Sequence, residues 1–267
     1  MIVGSTKEDL SLEKRISITP ETAKNIINLG LKIFIENDYA THIGIKDEEY
    51  KNVGVEIKSS SKEVLDNCNL LTKVNCPSNE EILELKDKSI LIGMLNPSKN
   101  QSKLKEILKK NINIFSLELL PRITRAQSMD VLSSQSNLAG YRSVVDSIYE
   151  FEKAIPMMMT AAGTVPAAKV LVIGAGVAGL QAIATAKRLG AIVSATDVRA
   201  ASREQVESLG GKFLTVEQSE NLETEGGYAK EATDDFKKKQ EELLSETIKK
   251  IDIVICTALI PGKKAPL

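Results

Sequence analysis

Residues 170–197 read VLVIGAGVAGLQAIATAKRLGAIVSATD, and this stretch decides the fold. It opens on an apolar run and turns through Gly174, Gly176 and Gly179 in the spacing G-x-G-x-x-G. It continues as an alanine-rich helical pattern and returns as a second apolar run ending in Asp197, 18 positions after Gly179. A lone glycine triplet is a weak signal. A strand before it, a helix after it and an acidic residue closing the next strand supply the context of a dinucleotide-binding βαβ unit. Each residue has a physical task there. Gly174 permits the tight turn. Gly176, flanked by Ala175 and Val177, lets the backbone approach a pyrophosphate at the positive end of the helix. Gly179 lets the helix pack close to the strand. Asp197 would accept hydrogen bonds from the adenosine ribose hydroxyls and repel a 2′-phosphate, which favours NAD over NADP. Arg199, just past Val198, pulls the other way, because an arginine can pair with that phosphate. The plainer alternative is a strand–turn–helix whose glycines serve packing alone.

The pattern continues on both sides. Downstream, a helix over 202–209, a strand over 212–216, an acidic loop over 217–233, a helix over 234–250 and a strand over 251–257 are expected. The helix over 234–250 sets Phe236, Leu243, Leu244 and Ile248 on one face. With the strands at 169–173 and 191–196 this makes four, where a complete dinucleotide domain has six. The chain is therefore expected to stop inside this domain. Upstream, 137–153 reads as a long helix with Leu138, Tyr141, Val145, Ile148 and Phe151 at helical spacing. Before it, residues 117–135, LELLPRITRAQSMDVLSSQ, break the rhythm and read as a bridge.

A second strand–helix alternation fills the first 120 residues or so. Short apolar runs at 2–4, 32–36, 70–74, 90–93 and 113–116 alternate with amphipathic stretches at 20–29, 61–67, 78–85 and 101–110. Thr19 before Pro20 reads as a helix N-cap followed by proline at the first helical position, and Gly30 as the stop. The fold class is α/β: two Rossmann-like domains with parallel sheets flanked by helices, 1–135 and 136–267, the second cut short at its C-terminal end.

Composition narrows the chemistry. The 267 residues are 42% hydrophobic and 27% charged, as in a soluble globular protein. The net charge is −1, so no general field attracts nucleic acid. There is one histidine, His42, which excludes a two-histidine zinc site. The three cysteines, Cys68, Cys76 and Cys256, show no CxxC spacing and read as free thiols, with Cys256 a small core residue. The first 15 residues carry early charges and no apolar core of a secretory signal. Residues 161–180 have the length of a membrane span but contain Pro166, Lys169 and four glycines, so no bilayer crossing is expected.

Several segments in order carry a more specific likeness: EKRISITP at 13–20, KVNCP at 73–77, PRITRAQSMDVLSSQSNLAGYRSV at 121–144, the glycine turn, GGYAKE at 226–231 and TALIPGKKAP at 257–266. Together they resemble the soluble NAD(H)-binding domain of the alpha subunits of proton-translocating NAD(P) transhydrogenases, a family that shares its architecture with alanine dehydrogenases. The resemblance covers essentially the whole chain. It implies hydride exchange between NAD(H) here and NADP(H) on a partner domain, coupled to proton translocation. Partners would be the NADP(H)-binding and membrane-spanning subunits and a second copy in a homodimer. The location would be the cytoplasmic face of a bacterial inner membrane, or the matrix side of an organelle, with no direct insertion. It also implies that Arg122, Gln127, Asp130 and Ser133 lie near the nicotinamide, with Ile123, Thr124 and Arg125 in the same loop. Gly227 and Tyr228 would sit at the tip of a closing loop, and Leu259 beside the nucleotide. Read as residues alone, 117–135 is equally a polar connector with a surface Arg/Asp pair, and 217–233 an acidic surface loop.

Two other activities compete: an alanine dehydrogenase-like amino-acid dehydrogenase, and a non-catalytic NAD-binding module. Amino-acid oxidation moves protons and needs an acid–base group. In alanine dehydrogenases that histidine lies in the segment equivalent to 91–100, LIGMLNPSKN, where this chain has Asn96 and no histidine. Lys73 and Arg15 match substrate-contacting positions of those enzymes; without the base, structural ion pairs are expected for them. Hydride exchange between two rings needs only positioning and exclusion of water. His42 is expected to be a surface or packing residue.

Overall fold

The computed structural model describes residues 1–121, 123–199, 201–215 and 234–258, with 234–237 by backbone alone. Two compact units divide between Asp130 and Val131; the sequence pattern put the change at 135/136.

The first unit alternates strand and helix throughout. Its elements are β1 (Ile2–Ser5), α1 (Pro20–Asn28), β2 (Lys32–Glu36), α2 (Asp47–Asn52), β3 (Glu56–Lys58), α3 (Ser61–Asn67), β4 (Leu70–Thr72), α4 (Asn79–Glu84), β5 (Ile90–Gly93), α5 (Gln101–Lys109) and β6 (Asn113–Ser116). All pairings are parallel and the strand order is β3-β2-β1-β4-β5-β6. The order reverses between β1 and β4, which is where doubly wound sheets open a crevice at the carboxyl ends of their strands. Register sets the two faces. Val3 stands beside Ile33 and Leu70, and these pack with Ile35, Tyr39 and Tyr50 on one side. Leu71 stands beside Leu91, and these pack with Leu65, Ile107 and Ile112 on the other. Each such buried aliphatic side chain contributes about 1.5–3 kcal/mol of transfer free energy. The α1 start is as the sequence implies: Thr19 and Thr22 form a capping box with Pro20 behind the cap, and Gly30 follows at φ +81°. The strand β3 and the helix α2 have no counterpart among the elements read from sequence. Three residues, EIK, on a sheet edge carry too little apolar signal.

The second unit begins with α6 (Val131–Glu150). A short antiparallel hairpin, β7 (Met158–Thr160) and β8 (Gly163–Val165), follows. The sheet is built by β9 (Lys169–Ile173), α7 (Val177–Arg188), β10 (Ile192–Thr196), α8 (Ser202–Ser208), β11 (Lys212–Phe213), α9 (Asp234–Ile248) and β12 (Ile253–Cys256). Its order is β11-β10-β9-β12, all parallel, with the reversal between β9 and β12. Val170, Val172, Ile183, Val193, Ala195 and Ile255 form its core.

Two sequence readings are corrected here. The inward face of α6 is not the one drawn through Leu138 and Tyr141, which are 58% and 49% exposed. Gly140 and Val144 are the buried residues of this helix. The reason is close packing. A Cβ on Gly140 would come within 2.0 Å of the Ala178 carbonyl oxygen, so the smallest residue, not the largest, marks the contact with α7. Cys256 is exposed rather than a core residue. It lies on β12, at the edge of the described sheet, and Ile255 beside it takes the inward position.

Candidate functional site

The glycine turn is built at the C-terminal end of β9, beside the reversal of strand order. Gly174 sits at φ +94°, the left-handed region that favours glycine. A Cβ there would meet the Ala258 amide at 2.8 Å. A Cβ on Gly179 would stand 1.8 Å from the Gly174 carbonyl oxygen, so only glycine lets α7 lie on the strand. Gly176 is different. In its case a Cβ would meet nothing nearer than the Arg199 Nη2, 3.9 Å away. Gly176 is also the N-cap of α7 and carries no side-chain cap. Open space, the positive end of a 12-residue helix and a guanidinium at the rim fit the pyrophosphate of a dinucleotide.

Asp197 follows β10 and reaches back to this turn. Its Oδ2 accepts the Ala175 N–H at 2.7 Å and Arg199 Nη2 at 2.9 Å. Its Oδ1 accepts Arg199 N and Nε, each at 2.9 Å. Burial pushes this carboxyl up, but the Arg199 side chain and the two backbone N–H donors outweigh it and hold it below the usual carboxylate value. Two carboxylate oxygens offer about four acceptor positions. All are engaged by protein donors, so a ribose diol at Asp197 has to exchange with the Arg199 side chain.

Thr257 carries no motif signal in the sequence. It follows β12, and its Oγ1 donates to the Gly174 carbonyl at 2.8 Å, while its N–H donates to Ile173 at 2.8 Å. No spacing rule points to it, because it lies 83 positions from Gly174 and meets it only through the β9–β12 pairing.

The connector is structured. Thr124–Met129 is a 3₁₀ helix closing the first unit, on which Thr124, Arg125 and Gln127 are exposed and Ala126 is buried. Ile123 is 55% exposed just before it. Asp130 ends the first unit, and Ser133 lies on the first turn of α6 in the second. Arg122, Gly227, Tyr228 and Leu259, with the 217–233 loop, lie outside the described residues. The structure thus brings together Gly174, Ala175, Gly176, Val177, Gly179, Asp197, Val198 and Arg199 at one sheet edge.

In the first unit, Asn96 sits at φ +46°; its N–H donates to Glu118 and its Oδ1 accepts from Ser98 at 3.0 Å. The segment is a hydrogen-bonded turn leading into α5. Lys73 is buried at the β4 end, with its Nζ donating to Glu81 at 2.8 Å, the Lys7 carbonyl at 2.9 Å and Thr6 at 3.1 Å. Glu8 lies 3.9 Å from it, and burial pushes that carboxyl up against the opposing pull of Lys73 and the Val74 N–H. Arg15 pairs with Glu13 at 2.7 Å. The exposed His42 donates from Nε2 to the Lys14 carbonyl at 2.8 Å. Burial pushes the Cys68 thiol up to about 11. Among the described residues no cluster of three or more His, Cys, Asp or Glu side chains is placed to hold a metal ion. No helix among them is long and apolar enough to cross a membrane.

The family model for the alanine dehydrogenase/PNT N-terminal domain matches residues 4–139, and that for the C-terminal domain matches 143–267. The chain belongs to the alanine dehydrogenase/PNT family. Within that family it is 50% identical to an NAD(P) transhydrogenase subunit alpha of Rickettsia prowazekii, over all of this chain and 71% of that one. A solved transhydrogenase from Sinorhizobium meliloti superposes with a TM-score of 0.87 at 44% identity, covering all of this chain and 72% of that one. The likeness to the alanine dehydrogenase of Methanococcus maripaludis is lower, 28% over all of this chain and 66% of that one. The alanine dehydrogenase/PNT fold is a Rossmann-like, nucleotide-binding one, as the sequence implied.

Proposed function

We propose that this chain is the NAD(H)-binding component of a proton-translocating transhydrogenase. The reaction is direct hydride exchange between NAD(H) held here and NADP(H) held on a partner domain, coupled to proton translocation across the membrane. The observation that carries the nucleotide site is the open, uncapped amide end at Gly176 beside the Asp197–Arg199 pair. The identity with transhydrogenase alpha subunits carries the reaction.

Bound NAD(H) supplies or takes up the hydride. The chain's own residues hold it. Gly174, Ala175, Gly176, Val177 and Gly179 present the helix end to the pyrophosphate. Asp197, Val198 and Arg199 read the adenosine ribose. Arg122, Gln127, Asp130 and Ser133 orient the nicotinamide, with Ile123, Thr124 and Arg125 in the same segment. Gly227, Tyr228 and Leu259 close the nucleotide off from water. No acid–base residue is required at the reacting carbon, which suits a 91–100 segment whose position 96 is asparagine. The component works as a homodimer, peripheral to the membrane, on the cytoplasmic face in bacteria or the matrix face in an organelle.

Calorimetric titration tests the site: NADH should bind at least tenfold more tightly than NADPH. Mixed with an NADP(H)-binding partner domain, the chain should catalyse transhydrogenation. NADH formation from alanine and NAD would overturn the reading in favour of an amino-acid dehydrogenase.

A further inference from the structure

The hydrogen bonds of Thr257 and Asp197 end on one and the same peptide group. The carbonyl of Gly174 and the N–H of Ala175 belong to a single planar unit, and in a trans peptide they point in opposite directions. Thr257 Oγ1 donates to the carbonyl at 2.8 Å from the β12 side. Asp197 Oδ2 accepts the N–H at 2.7 Å from the β10 side. The two strands that flank β9 therefore each send one side chain to grip the peptide that opens the glycine turn. Gly174 at φ +94° has backbone freedom that other residues lack, so this peptide is the one most in need of an external hold. The Gly179 contact adds urgency, because the gripped carbonyl lies directly under α7.

We infer that Thr257 is a positioning residue of the dinucleotide site, fixing the Gly174–Ala175 peptide so that the amides at the start of α7 stay aimed at the pyrophosphate. Without its hydroxyl the Gly174 carbonyl, in a buried residue, loses its side-chain donor. The peptide is then free to rotate about the glycine, and a rotation that turns the carbonyl toward the cradle sets a negative dipole end against an anion. Asp197 acquires a second task besides the ribose: it is the other jaw of the same grip. Thr257 touches backbone alone and acts through it. The inference rests on the nucleotide site proposed above.

The test uses the full chain with three variants. Thr257→Val keeps the shape and removes the hydroxyl, and Thr257→Ser keeps the hydroxyl. Ile155→Ala removes core volume at the far end of the sheet, where Ile155 accepts the Ala168 N–H ahead of β9. NADH affinity is read by fluorescence, and exchange of the Ala175 amide hydrogen by NMR. Thr257→Val should weaken NADH about tenfold, which corresponds to about 1.4 kcal/mol. It should also speed Ala175 exchange at least tenfold. Thr257→Ser should restore both to within about twofold. Ile155→Ala should lower the melting temperature with affinity unchanged. If Thr257→Val fails to fold by circular dichroism, Thr257→Ala replaces it in the same comparison. Unchanged affinity in Thr257→Val, or a Thr257→Ser as weak as the valine variant, overturns the inference. A wild-type chain that does not bind NADH overturns the proposed site itself, and Ala175 exchange then shows whether the grip exists without it.

Discussion

Lys73 Nζ lies 2.8 Å from the Glu81 carboxylate with its side chain only 4% exposed. With Thr6, the Lys7 carbonyl and Glu8 around it, this ammonium is enclosed by the chain's own acceptors at the point where the first sheet reverses its strand order. In a doubly wound sheet that point is the default crevice for a ligand. Here it is filled by an internal ion network. Removing one partner of a buried pair leaves an uncompensated charge and costs about 3–5 kcal/mol. Lys73→Met should therefore destabilise the first unit by that order in urea unfolding. Adding Glu81→Gln to Lys73→Met should recover some of the loss, and a single variant as stable as wild type would show that the network contributes nothing.

Asp197 sets an acid limit on the second unit. Its folded pKa lies below its ordinary value of 3.8, held down against burial by Arg199 and two backbone N–H groups. The stability it contributes is complete above that ordinary value and is lost as pH falls through the lower folded pKa. Asp197→Asn should be less stable than wild type at pH 7, and the gap should narrow below about pH 3.8. Urea midpoints at pH 7 and pH 3 check this; a gap independent of pH would assign the role to hydrogen bonding without charge.

Gly179→Ala places a methyl group 1.8 Å from the Gly174 carbonyl oxygen, a backbone atom that cannot swing aside. The helix has to lift from the strand. A stability loss of about 1–3 kcal/mol and a fall of tenfold or more in NADH affinity are expected, by thermal melting and fluorescence titration. Gly176→Ala, which meets open space, should retain wild-type stability and lose affinity alone.

The three thiols should separate by reactivity. Cys256 is exposed, Cys76 is half-buried with its thiol pushed up by burial, and Cys68 is buried with its thiol at about 11. Only the thiolate reacts readily. Under native conditions at pH 8 a disulfide reagent should modify Cys256 first, and Cys68 only on unfolding, as mapped by mass spectrometry of the labelled peptides.

The glycine turn, its flanking strands and the acidic residue closing β10 were legible in residues 170–197, because each is a local consequence of side-chain size, periodicity and backbone freedom. The strand–helix alternation of the first unit was legible for the same reason, wherever a strand carried a run of β-branched or leucine side chains. The likeness of ordered segments to transhydrogenase alpha subunits brought out the family. Where the local signal was weak, the sequence was silent. The strand β3 is three residues long and mostly polar, and the hairpin of β7 and β8 is exposed on both strands.

Tertiary structure decided the rest. The buried face of α6 follows Gly140, because backbone-to-backbone approach at Ala178 outweighs the pull of larger apolar residues elsewhere on the helix. The Asp197 carboxylate, which the motif assigns to a ribose, is shared with the Ala175 N–H and Arg199. Thr257 reaches Gly174 across 83 positions of sequence only because β12 pairs with β9. A periodic pattern records what a residue does within its own helix or strand. Which side chain grips which peptide depends on strand order, and strand order is fixed by the packing of the whole sheet.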